Sequence, residues 1–154
     1  MKNWLPLASS RVGREEVGRT AWISDDRPTL VPVNYAWAGE AVVVRSDPGL
    51  KLNELRGAEV AFEIDRIDRA RKEGWSVVVH GVAHEVAIDG WPATVLKPHE
   101  IYLEPWAPGT KLHWFRLTRR LISGRRIRRI SKAEANPFWF LSTYSFPIHE
   151  ATPR

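Results

Sequence analysis

The sequence predicts a mainly β fold, a small barrel of about six strands with few helices. Short runs of alternating apolar and polar residues recur through most of the chain, each closed by a Pro, Gly or Asp cluster. Helical spacing of apolar residues is confined to one short internal stretch, with a second possible helix over Trp4 to Glu16. Gly81 lies in the middle of a long strand-like run, where it suggests the bulge or sharp bend that a closing sheet needs. At 154 residues the chain is one domain's length, enough to bury a real core.

The elements follow in order. Thr20 to Ser24 reads as a short strand, and Asp25-Asp26-Arg27-Pro28 as a turn. Thr29 to Tyr35 is the next strand. Pro32 inside it cannot donate to a ladder, which places it at an edge, a bulge or a point where the sheet opens. Ala38-Gly39-Glu40 turns the chain into the strand Ala41 to Ser46. Asp47-Pro48-Gly49 breaks the sheet, and Leu50 to Arg56 spaces Leu52 and Leu55 as a short helix ending at Gly57.

Glu59 to Asp65 alternates cleanly, with Val60, Phe62 and Ile64 on one face. A charged loop or turn, Arg66 to Glu73, leads to the long strand Trp75 to Val86. Pro92, Pro98, Pro105 and Pro108 forbid a long regular element over Asp89 to Gly109, and Trp91, Tyr102 and Trp106 suggest a loop that packs on something. His113 to Ile122 is strand-like, with Phe115, Leu117 and Leu121 facing one way. Arg125 to Lys132 fits a helix or a twisted strand end. The aromatic stretch Pro137 to Ile148 is expected to dock on the body or on a partner. Two segments result: a barrel domain over 1–132 and a C-terminal extension over 133–154, packed on the barrel or a dimer partner.

Composition narrows the function. There is no Cys, which excludes disulfide frameworks, thiolate metal sites and thiol nucleophiles. No apolar run approaches the ~20 residues of a membrane span. Met1 to Arg14 lacks the apolar core of a secretory signal, so the expected location is cytoplasmic, with no membrane partner. The formal charge of +5 is local. Lys111 to Lys132 holds nine basic residues and no acid, and the remainder carries 14 basic against 18 acidic residues. Whole-surface coating of nucleic acid is therefore excluded. Trp114 and Phe115 within the basic run would suit single strands, but no docking motif accompanies them. Nucleic acid is an unfavoured partner, and arginines covering a barrel edge or pairing with acids are the simpler reading.

No metal site is expected. His80 and His84, four apart on one strand, lie about 13 Å from each other, and no acid cluster has ligand spacing. The acids Glu63 and Asp65 read as a solvated strand face. The stretch with most chemistry is Thr29 to Leu55. Arg45 and Ser46 end a strand, a Pro-Gly turn follows, and Lys51 stands at the start of a short helix. This pattern suits an anionic ligand, although taken alone a strand ending in solvated charges is the simpler reading.

These residues carry a resemblance. RPTLVPVNY, then AVVVRSDPGLKLNEL, then EVAFEIDRIDRARKEGWSVVVHGVAHEV resembles the pyridoxamine 5'-phosphate oxidase-like, FMN-binding split-barrel family, in particular its small actinobacterial flavoproteins. The match spans Val17 to Val86. A looser echo follows in Trp106-Ala107-Pro108-Gly109, His113-Trp114 and Ile122 to Ile127.

The resemblance implies a six-stranded split β-barrel with a few short helices, homodimeric, with flavin at the interface. It implies that Lys51, with Leu52 beside it, contacts the FMN phosphate. It places Arg45 and Ser46 by the phosphate or ring edge, and the backbone of Pro32, Val33, Asn34 and Tyr35 along one ring face. Trp75 and Ser76, from the same or the other subunit, would close the site. Asp47 departs from the pattern, since an acid beside a phosphate repels it unless it points away. The substrate-phosphate signature of the vitamin-forming oxidases is missing, so their substrate is not carried over.

The expected function is flavin-mediated hydride or electron transfer on a small-molecule substrate, with no assigned catalytic side chain. A non-catalytic flavin, deazaflavin or haem binder is the first alternative, and a nucleic-acid-associated protein the second.

Overall fold

The computed structural model describes residues 15–38, 41–48, 50–87 and 100–128, with the backbone alone for residues 50–52. Six strands and one helix follow in order: β1 (Val17–Ser24), β2 (Arg27–Ala38), β3 (Ala41–Ser46), α1 (Leu50–Leu55), β4 (Glu59–Asp68), β5 (Glu73–Glu85) and β6 (His113–Ile127). The strands form a closed antiparallel barrel in the order β1-β2-β3-β6-β5-β4.

The hairpin β1–β2 turns at Asp25 and Asp26. Both have positive φ, 49° and 57°, as a tight mirror-image hairpin turn requires, and Asp tolerates that region better than most residues. Strand ends run past the sequence boundaries where pairing continues. β4 extends to Asp68 because Ile67 and Asp68 still pair with Gly74 and Glu73, so the expected loop shrinks to residues 69–72. Asp68 steadies that turn by accepting the Arg71 amide at 2.9 Å.

The interior is filled by alternate residues. Phe62, Phe115, Ile64, Leu117, Val42 and Val79 are fully buried, and Tyr35 meets Phe62 edge-on at 5.0 Å. A second, smaller apolar cluster lies outside the wall, where Ile101 and Trp114 pack on Ala38, Ala41 and Val43.

Strand β6 corrects the expected face. His80 opposes Leu121 and Gly81 opposes Arg119, so Arg120 is an extra residue on β6. The bulge reverses the alternation beyond it, and Ile122 instead of Leu121 turns inward, opposite Val79. Arg125 to Ile127 is strand and not helix. Gly81 is where the bulged wall comes closest, since a Cβ there would lie 2.0 Å from the Thr118 carbonyl oxygen.

The wall is thin at two places. β1 and β4 share three residue pairs. β2 and β3 pair only over Tyr35–Ala38 with Ala41–Val44. Among the described residues, β2 from Arg27 to Asn34 is paired on its β1 side alone, so Pro32 lies where the described sheet opens, as its missing donor predicts. The expected extension over 133–154, Trp91, most of the expected N-terminal helix and the end of the basic run lie outside the described residues; Glu15 and Glu16 are not helical.

Gly81→Ala is expected to destabilise the protein by about 1–3 kcal/mol, because rigid backbone must move. Gly124→Ala, whose nearest obstruction is 3.5 Å away, should cost less. Urea unfolding midpoints check the contrast, and equal losses would contradict the close-approach argument.

Candidate functional site

The opening between β2 and β3 gathers the residues singled out in sequence. Asn34 stands on β2 one residue before the pairing begins, and Arg45 and Ser46 continue β3 beyond it, paired with Trp114 and His113 of β6. The segment 106–111 bridges the gap. Asn34 Oδ1 accepts the Trp106 amide at 2.9 Å, while Asn34 Nδ2 donates to the Glu16 carbonyl at 3.2 Å. Arg45 donates from Nε to the Lys111 carbonyl at 3.0 Å and from Nη2 to the Thr110 carbonyl at 3.3 Å. Its guanidinium also lies 4.9 Å from the centre of the Trp114 ring.

Asp47 is the second anchor. It accepts the Lys111 amide at 2.7 Å and pairs with the Lys111 ammonium, which also donates to the Pro108 carbonyl at 3.0 Å. Lys111 hydrogen bonding, followed by the Lys111 charge, holds the Asp47 carboxyl below the usual carboxylate range. The repulsion expected from an acid beside a phosphate is thus met by a cation. Gly109 allows the contact, because at its φ of 126° a Cβ would fall 2.2 Å from an Asp47 carboxylate oxygen. Sequence reasoning missed the Asp47–Lys111 pair. Lys111 was one charge in a basic run, and the available signal was Pro108-Gly109 just before it.

The other expected residues are distributed as follows. Pro32 is exposed, Val33 is half-buried against the core, and the buried Tyr35 turns its ring inward, where burial pushes its phenol pKa up. Ser46 donates to the Asp47 carbonyl at 3.1 Å. Lys51 and Leu52 are in the first turn of α1, and their side chains lie outside the described residues.

Trp75 and Ser76 pair with Arg126 and Arg125 at the far end of β6. Twelve residues separate Trp114 from Arg126, roughly 40 Å of strand. One chain therefore does not bring Trp75 and Ser76 beside Arg45 and Ser46. The expectation that Tyr102 and Trp106 pack down is not met: they are 87% and 69% exposed, and Ile101 makes the contact instead. Trp106 thereby presents an aromatic side chain at the opening. Among the described residues of the basic run, Lys111 pairs with Asp47 and Arg120 with Glu59. Among the described residues no group of three His, Asp or Glu side chains could hold a metal ion, and no helix is long and apolar enough to cross a membrane.

A six-stranded barrel opening beside a strand end rich in cations defines a class, and comparison with known proteins agrees. The family model described as pyridoxamine 5'-phosphate oxidase matches residues 8–126, so the chain belongs to that family. It is similar to an uncharacterised protein of Mycobacterium tuberculosis, 33% identical over 95 residues. That alignment covers 58% of this chain and 60% of the relative's length. Among solved structures, the FAD binding protein from Mycobacterium smegmatis matches with a TM-score of 0.59 and 26% identity, over 80% of this chain and 94% of that one. A conserved protein of unknown function from Corynebacterium diphtheriae matches with a TM-score of 0.60 and 30% identity, over 80% and 94% of the two chains.

The Asp47 anchor carries a pH dependence. A carboxyl with a depressed folded pKa contributes stability that is present above its unfolded value, about 3.9, and is lost as pH falls through the folded value. The Lys111 amide should be protected from hydrogen exchange at neutral pH, keep that protection through about pH 4, and lose it only at lower pH as the Asp47 carboxyl takes up its proton. Asp47→Ala should abolish the protection at every pH. Protection unchanged in that variant would show that the segment is held by other contacts.

Proposed function

We propose that the chain binds a flavin nucleotide in the opening between β2 and β3 and uses it in electron transfer with a small-molecule substrate. The observation that carries this is the β2 edge over 27–34, which no described strand pairs on the side of the Arg45–Asp47 strand end. The backbone of Pro32 to Asn34 has a side that no described strand claims, which fits a planar ring needing hydrogen-bond partners. Lys51 is the expected phosphate cation, with Leu52 beside it, and Arg45 and Ser46 border the same space. Asp47, already neutralised by Lys111, does not oppose an anion there. Exposed Trp106 offers an aromatic face at the rim. Similarity to the mycobacterial FAD binding protein supports a flavin; FMN is the form proposed, with FAD or a deazaflavin as the forms to test against it.

A bound flavin supplies two-electron chemistry between a reduced donor and an acceptor, and the protein supplies capture, orientation and exclusion of water. Arg45 does this indirectly by holding the carbonyls of Thr110 and Lys111, which fixes the segment that walls the opening.

A homodimer completes the proposal. Trp75 and Ser76 serve this opening only from a second copy, given their place on β5 opposite the far end of β6. Exposed Ile67 and Ile127, the cross-strand neighbours of Gly74 next to Trp75, form an apolar patch suited to that contact.

Purified protein should carry flavin absorbance, or gain it on reconstitution with FMN. Lys51→Ala should weaken FMN binding about ten- to a hundredfold, the scale of one charge-assisted contact, with little effect on riboflavin. Equal losses for the two ligands would contradict the phosphate role. Ile67→Asp with Ile127→Asp should shift the light-scattering mass toward one chain, whereas an unaltered mass would place the interface elsewhere.

A further inference from the structure

Beside the Ser46–His113 pair is a cleft of about 340 Å³, lined by Glu85, Val86, Ala87, Leu112, His113 and Trp114. The volume suits a small molecule. Its polar groups form a chain. Arg56, just past the end of α1, donates from Nε to Glu85 Oε2 at 2.5 Å, and Glu85 Oε1 faces His113 Nδ1 at 2.6 Å. Arg56 first, and His113 second, hold the Glu85 carboxyl below its ordinary range, so it is a carboxylate at neutral pH.

A carboxylate on Nδ1 settles the imidazole. Nδ1 carries the proton and donates it, so the neutral ring has its lone pair on Nε2. Among the described residues the imidazole makes no other hydrogen bond. The ring is fixed at β6's first residue, and the β5 end is tied to β6 by the Val86 amide donating to the Trp114 carbonyl at 2.9 Å. Among the described residues, Asp47 and Lys111 nearby satisfy each other.

We propose that this cleft is a second ligand site, distinct from the flavin opening, for a small neutral aromatic compound with an acidic hydroxyl, and that His113 accepts its proton. Val86, Ala87, Leu112 and Trp114 supply apolar wall. The ligand O–H bond breaks, its proton goes to Nε2, and the ligand oxyanion remains beside an imidazolium whose Nδ1–H stays on Glu85. The negative charge of Glu85 offsets the new positive charge on the ring. Arg56 is engaged with Glu85, so the partner of the oxyanion is the imidazolium that the ligand's own proton creates. The site does not depend on the flavin.

The test uses the full chain and 4-nitrophenol, whose colour reports its ionisation. Difference spectra, at a pH below the probe's own pKa, should show the bound probe as phenolate several-fold above its free fraction. His113→Gln should remove that excess, and Glu85→Gln should reduce it. Nitrogen-resolved NMR of the wild-type imidazole, which needs no variant, should show the Nδ1–H tautomer and a probe-dependent shift at Nε2. The proposal is overturned by the opposite tautomer, by no binding at millimolar probe, or by phenolate persisting in His113→Gln. Flavin content of the same samples is read separately, so loss of one site is distinguishable from loss of the other.

Discussion

The site rests on one constraint in the barrel wall: β2 and β3 part after four cross-strand pairs. Beyond Tyr35 one strand continues along β1 and the other along β6, and a gap opens between backbones that would otherwise satisfy each other. An opening of this kind is costly if its polar groups stay buried and unpaired. The chain reduces the cost locally. Pro32 has no donor to lose, and Asn34, Arg45 and Asp47 secure the segment 106–111 across the gap through side-chain bonds. What stays accessible is the β2 edge, and the proposed flavin makes use of that edge.

The same economy explains the distribution of charge. The basic segment that dominates the sequence divides by position on β6. Its first member, Lys111, is consumed by Asp47 at the opening, and Arg120, displaced by the bulge, meets Glu59 across the outer face. Trp114 joins the two candidate sites, facing the Arg45 guanidinium and also lining the His113 cleft. Lys111 and Arg120 thus act through separate local contacts, as the pairing of basic residues with acids expected from the sequence has it.

Much of the fold was legible because its periodicity is local. Val60, Phe62 and Ile64 alternate without interruption and point inward. The Asp25-Asp26 turn, Pro32 and Gly81 each announce a backbone requirement that one residue type meets best. The face of Leu121 was not legible. The bulge that reverses it is one extra residue on β6, and its signal, Gly81, lies on the opposite strand. The opening was legible as a strand end with Arg45 and Ser46, but its closure by Lys111 was not. That contact joins residues 64 positions apart through a backbone of positive φ, which neither composition nor spacing encodes. Tyr102 and Trp106 misled for a related reason: aromatic character predicts burial, and the apolar contact of that segment is made by Ile101.

The most direct test of the account is a crystal structure of the protein grown with FMN. The account predicts the flavin ring along the Pro32–Asn34 edge, its phosphate at the Ser46–Lys51 end, and Asp47 still paired with Lys111. Flavin seated elsewhere on the barrel, or a β2 edge covered by protein with no ligand at saturating FMN, would contradict it.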